Sequence, residues 1–242
     1  MIKDQVIIPD SHSRPGISDR RFRWLNKYIK KHGVESVVHL GDHWDFPSMC
    51  THDAHRSDFH QRSYENDCNK GFKDLALVLD GTGAEGDYLE GNHDERPKRF
   101  LASNKRFSGT LILPQDMMPV GWTWRGRSFR KGGVLFKHFE VSGNSGKPLS
   151  GENPAKTIIN KTMCSTIVGH AHGVDIAVKT NGKGRKVIGI VAGCFLDPAQ
   201  RERYAEDTQK LWVNGFWHLR NVHEGEFDFQ FISTKSLGEM FG

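Results

Sequence analysis

At 242 residues, with 36% hydrophobic and 26% charged side chains, the chain has the length and balance of one α/β domain with a substantial core. No apolar run reaches the roughly eighteen residues of a membrane span. The N-terminal MIKDQVIIPD also lacks the apolar stretch and cleavage site of a signal peptide, so a cytoplasmic protein is expected. A net charge of +5 and a pI of about 9.0 lean mildly toward anionic partners, nucleic acid included. Four widely spaced cysteines without a CxxC pair point to neither a disulfide framework nor a zinc knuckle.

In chain order, Gln5-Val6-Ile7-Ile8-Pro9 reads as a buried strand, with Asp10 and His12 on the loop that leaves it. Ser18 to His32 follows as a helix, with Phe22, Leu25 and Ile29 at helical spacing and Gly33 as its stop. Val34 to Leu40 is a second strand, and Ser57 to Asp80 a second helix carrying Phe72, Leu75, Leu77 and Leu79. A weaker strand, Tyr88 to Glu90, leads into Gly91-Asn92-His93. The alternation is βαβαβ, and each polar cluster follows a strand end, where ligand sites gather in open α/β sheets.

The second half changes character. Trp122 to His138 alternates around Gly126, Gly132 and Gly133 and predicts hairpin strands. A glycine-rich loop, Ser142 to Gly151, precedes a short helix from Asn153 to Met163. Strands are expected at Ser165 to Val168, Val174 to Lys179 and Lys186 to Ala192, the last two joined by a turn at Asn181 to Gly184. A final strand, Phe227 to Ile232, precedes a short tail. No repeat or linker divides the chain, so residues 1–242 are expected to form a single domain.

Five clusters carry chemistry: Asp10-Ser11-His12, Gly41-Asp42-His43-Trp44-Asp45, Gly91-Asn92-His93-Asp94, His138, and Gly169-His170-Ala171-His172. Together they offer carboxylates, imidazoles and a carboxamide, a donor set suited to divalent metals between hard and borderline. A carboxylate such as Asp42 can bridge two cations, Asn92 ligates through a neutral oxygen, and the two rings of His-x-His can be aimed at different metals. Two adjacent metals activate a water and neutralise a phosphate at once.

In order and spacing these residues resemble the calcineurin-like metallophosphoesterase superfamily, whose pattern is D-x-H, G-D-x-x-D, G-N-H-[DE], a separate H, and G-H-x-H. The resemblance runs from Asp10 to His172. It implies a four-layer α/β sandwich, two stacked mixed sheets flanked by helices. It also implies two divalent metals, with manganese favoured and iron, zinc or nickel as alternatives. By that likeness Asp10, His12, Asp42 and His172 hold one metal. Asp42 (as the bridge), Asn92, His138 and His170 hold the other. His93 is the catalytic imidazole that serves the leaving oxygen, or else a residue that orients Asn92.

The implied activity is metal-dependent phosphoester hydrolysis. Phe46-Pro47 follows Asp45, where protein phosphatases of the family carry an arginine, and the third block reads G-N-H-D. Both features favour a phosphodiesterase, with a nuclease acting on DNA or RNA as one form and a phosphomonoesterase acting on a nucleotide or other small ester as the alternative. A non-catalytic metal-binding or nucleic-acid-binding protein is the reading from a different class.

Several features stay open. Asp45 is expected to orient a ligand or cap its loop, and Asp94 to bond an imidazole or cap a helix starting near Glu95. His52, His55 and His60, with Asp53 and Asp58, fit a third metal, a cleft rim or a solvated helix start. Trp122, Trp124, Arg125, Arg127, Arg130 and Lys131 fit either a nucleic-acid surface or a half-buried hairpin. Trp212, Phe216 and Trp217 read as core or interface residues, and the Ser142–Gly151 loop as either a phosphate contact or a surface excursion.

Overall fold

The computed structural model describes residues 1–51, 55, 59–202, 205 and 207–242. The chain begins with β1 (Ile2–Ile8), α1 (Arg20–His32), β2 (Ser36–His39), α2 (Tyr64–Leu79) and β3 (Glu85–Tyr88), which is the expected alternation. β1, β2 and β3 pair in parallel. Strands buried on both faces need apolar side chains on both, which explains the short continuous runs. In β1, Val6 and Ile8 join an apolar cluster with Phe22 and Leu25 of α1 and Leu75 of α2. Ile7, between them, joins a second cluster with Phe136, Ile167 and Ile190.

Gly33 ends α1 at φ 60°, the left-handed turn that a glycine adopts without strain. α2 begins later than the sequence reading placed it. Ser63 caps it by accepting from the Asn66 N–H at 3.4 Å, and Phe59–Gln61 forms a separate single turn. Residues 57 and 58, where the helix was expected to start, lie outside the described residues.

The remaining elements are α3 (Arg96–Ser103), β4 (Trp122–Trp124), β5 (Ser128–Lys131), β6 (Val134–Lys137), α4 (Pro154–Thr162), β7 (Thr166–Val168), β8 (Val174–Thr180), β9 (Lys186–Ala192), β10 (Gly215–His223), β11 (Glu226–Ser233) and α5 (Thr234–Phe241). They complete two mixed sheets. One has the order β11-β10-β1-β2-β3-β4 and the other β5-β6-β7-β9-β8. The second apolar cluster lies between them, with Trp217 and Leu219 of β10 meeting Phe136 of β6 and Ile190 of β9. A third cluster, Ala155, Ile158, Val168 and Val191, packs α4 onto the second sheet. Helices therefore cover the outer sides of a stacked pair of sheets.

Four expectations need correction. The 122–138 stretch is not one hairpin system, because β4 pairs with β3 in the first sheet while β5 and β6 pair in the second. The chain crosses between sheets at Arg125–Arg127, where Arg125 and, further on, Lys131 bond the two oxygens of Asp87 at 2.6 and 2.7 Å. β10 was not anticipated, although it pairs antiparallel with β1 and seats Phe216 and Trp217 in opposite cores. The tail is helical: Ser233 caps α5 by accepting from the Ser236 N–H at 3.0 Å, and Leu237 is buried. α3 was foreseen only as a start near Glu95. Among the described residues, no helix is long and apolar enough to cross a membrane, and all four cysteines are free.

Candidate metal centre

Every parallel strand except β4 ends toward one cleft. β1 delivers Asp10, β2 delivers Asp42, β3 delivers Asn92 and His93, β6 delivers His138, and β7 delivers His170 and His172. The first two loops are zipped together by their backbones. The N–H groups of His12 and Ser13 donate to the carbonyls of Asp42 and His43 at 3.0 and 2.6 Å, and the Asp45 N–H returns to Ser13 O at 3.1 Å. The end of β9 closes the arrangement, since the Phe195 N–H donates to Asp10 O at 2.7 Å.

The turns that aim these side chains are strained. Among the described residues eight that are not glycine have positive φ, and His12, Asp42, His170 and His172 are four of them, at 42°, 53°, 67° and 56°. Such conformations cost of order 1–3 kcal/mol each and cluster at functional sites. Two glycines are needed for close approach rather than for turning. A Cβ on Gly91 would fall 2.1 Å from Asp42 Oδ1, and one on Gly169 would fall 2.5 Å from Asp10 Oδ1.

The donor atoms converge in four overlapping groups, each within 4.8 Å: Asp10, His12 and His172; Asp42, His138 and His170; His12, Asp42 and His93; and His12, Asp45 and Glu202. Asp10 spans the sheets, with Oδ1 accepting from the His170 N–H at 2.9 Å and Oδ2 lying 3.2 Å from His172 Nε2. Asp42 is buried, and its Oδ2 lies 3.3 Å from His138 Nε2.

The chemistry of the donors fits a cation. His138 Nδ1 donates to the Leu40 carbonyl at 2.8 Å, which leaves Nε2 of the neutral ring without a proton. That Nε2 lies 3.0 Å from Asn92 Oδ1 and 3.3 Å from Asp42 Oδ2, a point that a proton on the ring or a metal ion can occupy. His12 is buried, and neither of its ring nitrogens has a hydrogen-bond partner. Burial disfavours charge on His12 and His138, but the surrounding carboxylates outweigh it and raise both to about 10. Negative potential of this kind attracts a proton or a metal ion. Buried His/Asp groups here are thus able to hold metal ions.

Asp45 does not cap its loop; it holds side chains. Its Oδ1 accepts from His93 Nδ1 at 2.9 Å and lies 3.4 Å from His12 Nδ1, while Oδ2 takes Arg14 Nη1 at 2.8 Å. His93 Nε2 accepts from Arg96 Nη2 at 3.2 Å. Burial pushes His93 below its ordinary value, although Asp42 draws it upward. Asp94 neither bonds an imidazole nor caps α3. Its Oδ2 accepts from the N–H groups of Asp42 and Gly91 at 2.9 and 2.8 Å and from the Tyr88 hydroxyl at 2.8 Å. Burial beside Asp42 pushes its carboxyl up to about 7.

Behind the loops runs a relay of neutral imidazoles. Gly41 N–H donates to His39 Nδ1 at 3.2 Å, and Ser11 Oγ bonds both His39 Nε2 at 2.9 Å and His43 Nδ1 at 2.7 Å. His43 Nε2 then donates to Gly71 O at 2.8 Å. Burial pushes His39 down to about 3 and His43 well below its ordinary value, so both stay uncharged. His43 sits inside a motif and His39 just before it, yet neither lines the cleft.

His55 and His60 are exposed and join no donor group, while His52, Asp53 and Asp58 lie outside the described residues. In the basic stretch after β4, Arg125 and Lys131 pair with Asp87, Arg127 pairs with Glu95 and Arg130 bonds Cys164 Sγ, and neither this stretch nor the Ser142–Gly151 excursion lines the cleft. Trp122 is buried and Trp124 stacks on Tyr88 at 5.3 Å. Trp212 instead packs edge-on against His172 at 4.2 Å. Arg14 and Glu202 were not anticipated. Glu202 is buried and joins Arg14 at 2.9 Å, and the two have no motif in common to reveal them. The cleft has a volume of about 1380 Å³, with Arg14, Arg96, Arg99 and Arg201 on its walls. No protein-family model matches the sequence, and no curated protein matches it.

Proposed function

We propose that the chain is a phosphoester hydrolase of the metallophosphoesterase type that uses two divalent metals and favours phosphodiesters. The observation that carries this reading is the pair of His/Asp donor groups set side by side in one arginine-lined cleft, with His93 beside them. Asp10, His12, Asp42 and His172 would hold one metal, and Asp42, Asn92, His138 and His170 the other. Manganese is favoured, and iron, zinc or nickel suit the same donors. Bound there, the metals would lower the pKa of water and take up charge on the phosphate oxygens. Two sheets stacked between helices give further support, because the family's four-layer sandwich is built in that way.

The protein's own residues supply position and a proton. Asp45 fixes the His93 ring through Nδ1 and stabilises the doubly protonated imidazole, so a proton taken up at Nε2 is available to the leaving oxygen. Arg96 and Arg99 present cations toward a phosphate, while Arg14 is held by Asp45 and Glu202. Phe46 stands where a protein phosphatase of the family would have an arginine, and a cleft of this volume exceeds the need of a small monoester.

The test is turnover of bis-p-nitrophenyl phosphate against p-nitrophenyl phosphate by manganese-loaded wild type, His93→Ala and Asp42→Ala. Preference for the diester, abolished in both variants, is expected. Preference for the monoester would make the protein a phosphomonoesterase. Metal binding without turnover of either ester would leave a metal-binding protein and overturn the hydrolase reading.

A further inference from the structure

One face of α3 lines the cleft along the whole helix. Within this segment the lining residues are Arg96, Arg99, Phe100, Ser103 and Asn104, spaced as a single helical stripe. At 1.5 Å per residue the stripe rises roughly 10 Å, well past the extent of one phosphate group. Its chemistry changes with distance from the donor groups. Arg96 is nearest, with its guanidinium on His93 Nε2 and on the Asp45 carbonyl. Arg99 comes next. It bonds the Asn92 carbonyl, and among the described residues no carboxylate pairs with it. Phe100 follows, 38% exposed, with its ring tilted against Phe107 at a centroid distance of 5.8 Å. Two cations and a supported open ring match two successive phosphates and the base of the nucleotide that links them.

We infer that this face of α3 is the subsite for the nucleotide adjoining the scissile phosphate, and that the substrate is a single-stranded oligonucleotide. The inference rests on the hydrolase reading above. Arg96 meets the scissile phosphate, Arg99 the neighbouring phosphate, and Phe100 stacks the base between them. Stacking on an open ring requires an unpaired base, which selects single strands over duplex. Of the other arginines that the sequence offered for such a role, Arg125 and Arg127 pair with Asp87 and Glu95, and Arg130 bonds Cys164 Sγ and does not line the cleft.

The test measures binding and turnover on the manganese-loaded protein. A fluorescein-labelled deca-thymidylate with hydrolysis-resistant phosphorothioate linkages reports affinity by anisotropy. The ordinary oligonucleotide and bis-p-nitrophenyl phosphate report kcat/KM. Phe100→Ala is expected to weaken affinity about tenfold, within the range for losing one base stack, and Phe100→Trp to restore it. The ratio of oligonucleotide to small-diester kcat/KM should fall by a similar factor. Arg99→Gln should lower the slope of log affinity against log salt by about 0.7, the share of one phosphate contact on a single strand. Unchanged affinity and an unchanged ratio in both variants would overturn the subsite, as would a wild type that does not bind the oligonucleotide. An oligonucleotide bound through this face by a wild type that cleaves no diester would count against the hydrolase reading and leave the subsite standing.

Discussion

The two banks of the cleft are built differently. Loops from the first sheet supply all the oxygen donors, Asp10, Asp42 and Asn92, together with His12 and His93. Loops from the second sheet supply only imidazoles, His138, His170 and His172. The oxygen bank is braced from behind, by the backbone zipper between the 10–13 and 42–45 loops, by Asp94 and by the His39–Ser11–His43 relay. The imidazole bank leans on the oxygen bank, since the His170 N–H, His172 Nε2 and Gly169 all rest on Asp10. Like charges gathered in a buried site repel, so the carboxylates need a fixed frame, whereas imidazoles, which can take up a proton or a metal ion, are drawn toward them once the frame exists.

This contrast sets the order of expected effects. Asp42→Ala removes an oxygen shared by donor groups from both banks and should cost the most, about 10⁴-fold or more in turnover, the upper range for a single catalytic group. Metal content measured on the purified variant should fall with it; full occupancy would contradict the shared-ligand reading. His93→Ala should lower kcat by about 10²–10⁴-fold while metal content stays at the wild-type level. Loss of metal in that variant would instead make His93 a ligand.

The bracing is tested by Asp94→Ala. It strands three donors on one bank and should destabilise the fold by roughly 3 kcal/mol in urea unfolding. A change below about 0.5 kcal/mol, the ordinary effect of a surface substitution, would show that the frame does not depend on this carboxylate. Gly169→Ala probes the seam between the banks. Its new Cβ would push on Asp10 Oδ1, and metal affinity should fall by about 10–100-fold, the usual cost of disturbing a residue that orients a ligand. Titration with manganese measures it.

The smallest effect is a pH dependence. His39 is held neutral down to about 3, whereas an unfolded histidine titrates near about 6.5. As pH falls through that interval the unfolded chain takes up a proton that folded His39 refuses, so the contribution of His39 to stability is full above about 6.5 and declines below it. Thermal unfolding of the metal-free protein between pH 7.5 and 4.5 should show the decline, and His39→Gln should flatten it.

Much of this was legible in the sequence where local chemistry repeats a short pattern. The βαβαβ start followed from apolar runs of strand length, from Gly33, and from the spacing of Phe22, Leu25 and Ile29. The hairpin between β8 and β9 followed from Asn181 to Gly184. β10 is hidden in the sequence because Phe216 and Trp217 suit any core position, although Glu224-Gly225 carries the positive φ pair, 49° and 86°, of a two-residue hairpin loop. Trp122 to Lys131 misled because alternation does not say which sheet a strand joins. Arg14 and Glu202 were invisible because 188 residues separate them.

By itself the sequence determined which residues have the chemistry to hold a cation and that they follow strand ends, because ligand type and strand punctuation are properties of a few adjacent residues. Only the tertiary structure decided that Asp45 holds His93, that His39 and His43 turn inward, that Arg125 and Arg127 pair with Asp87 and Glu95, and that α3 lends the cleft its face. Each of those depends on partners brought together by the stacking of two sheets, and pairing across that distance leaves no local mark in the chain.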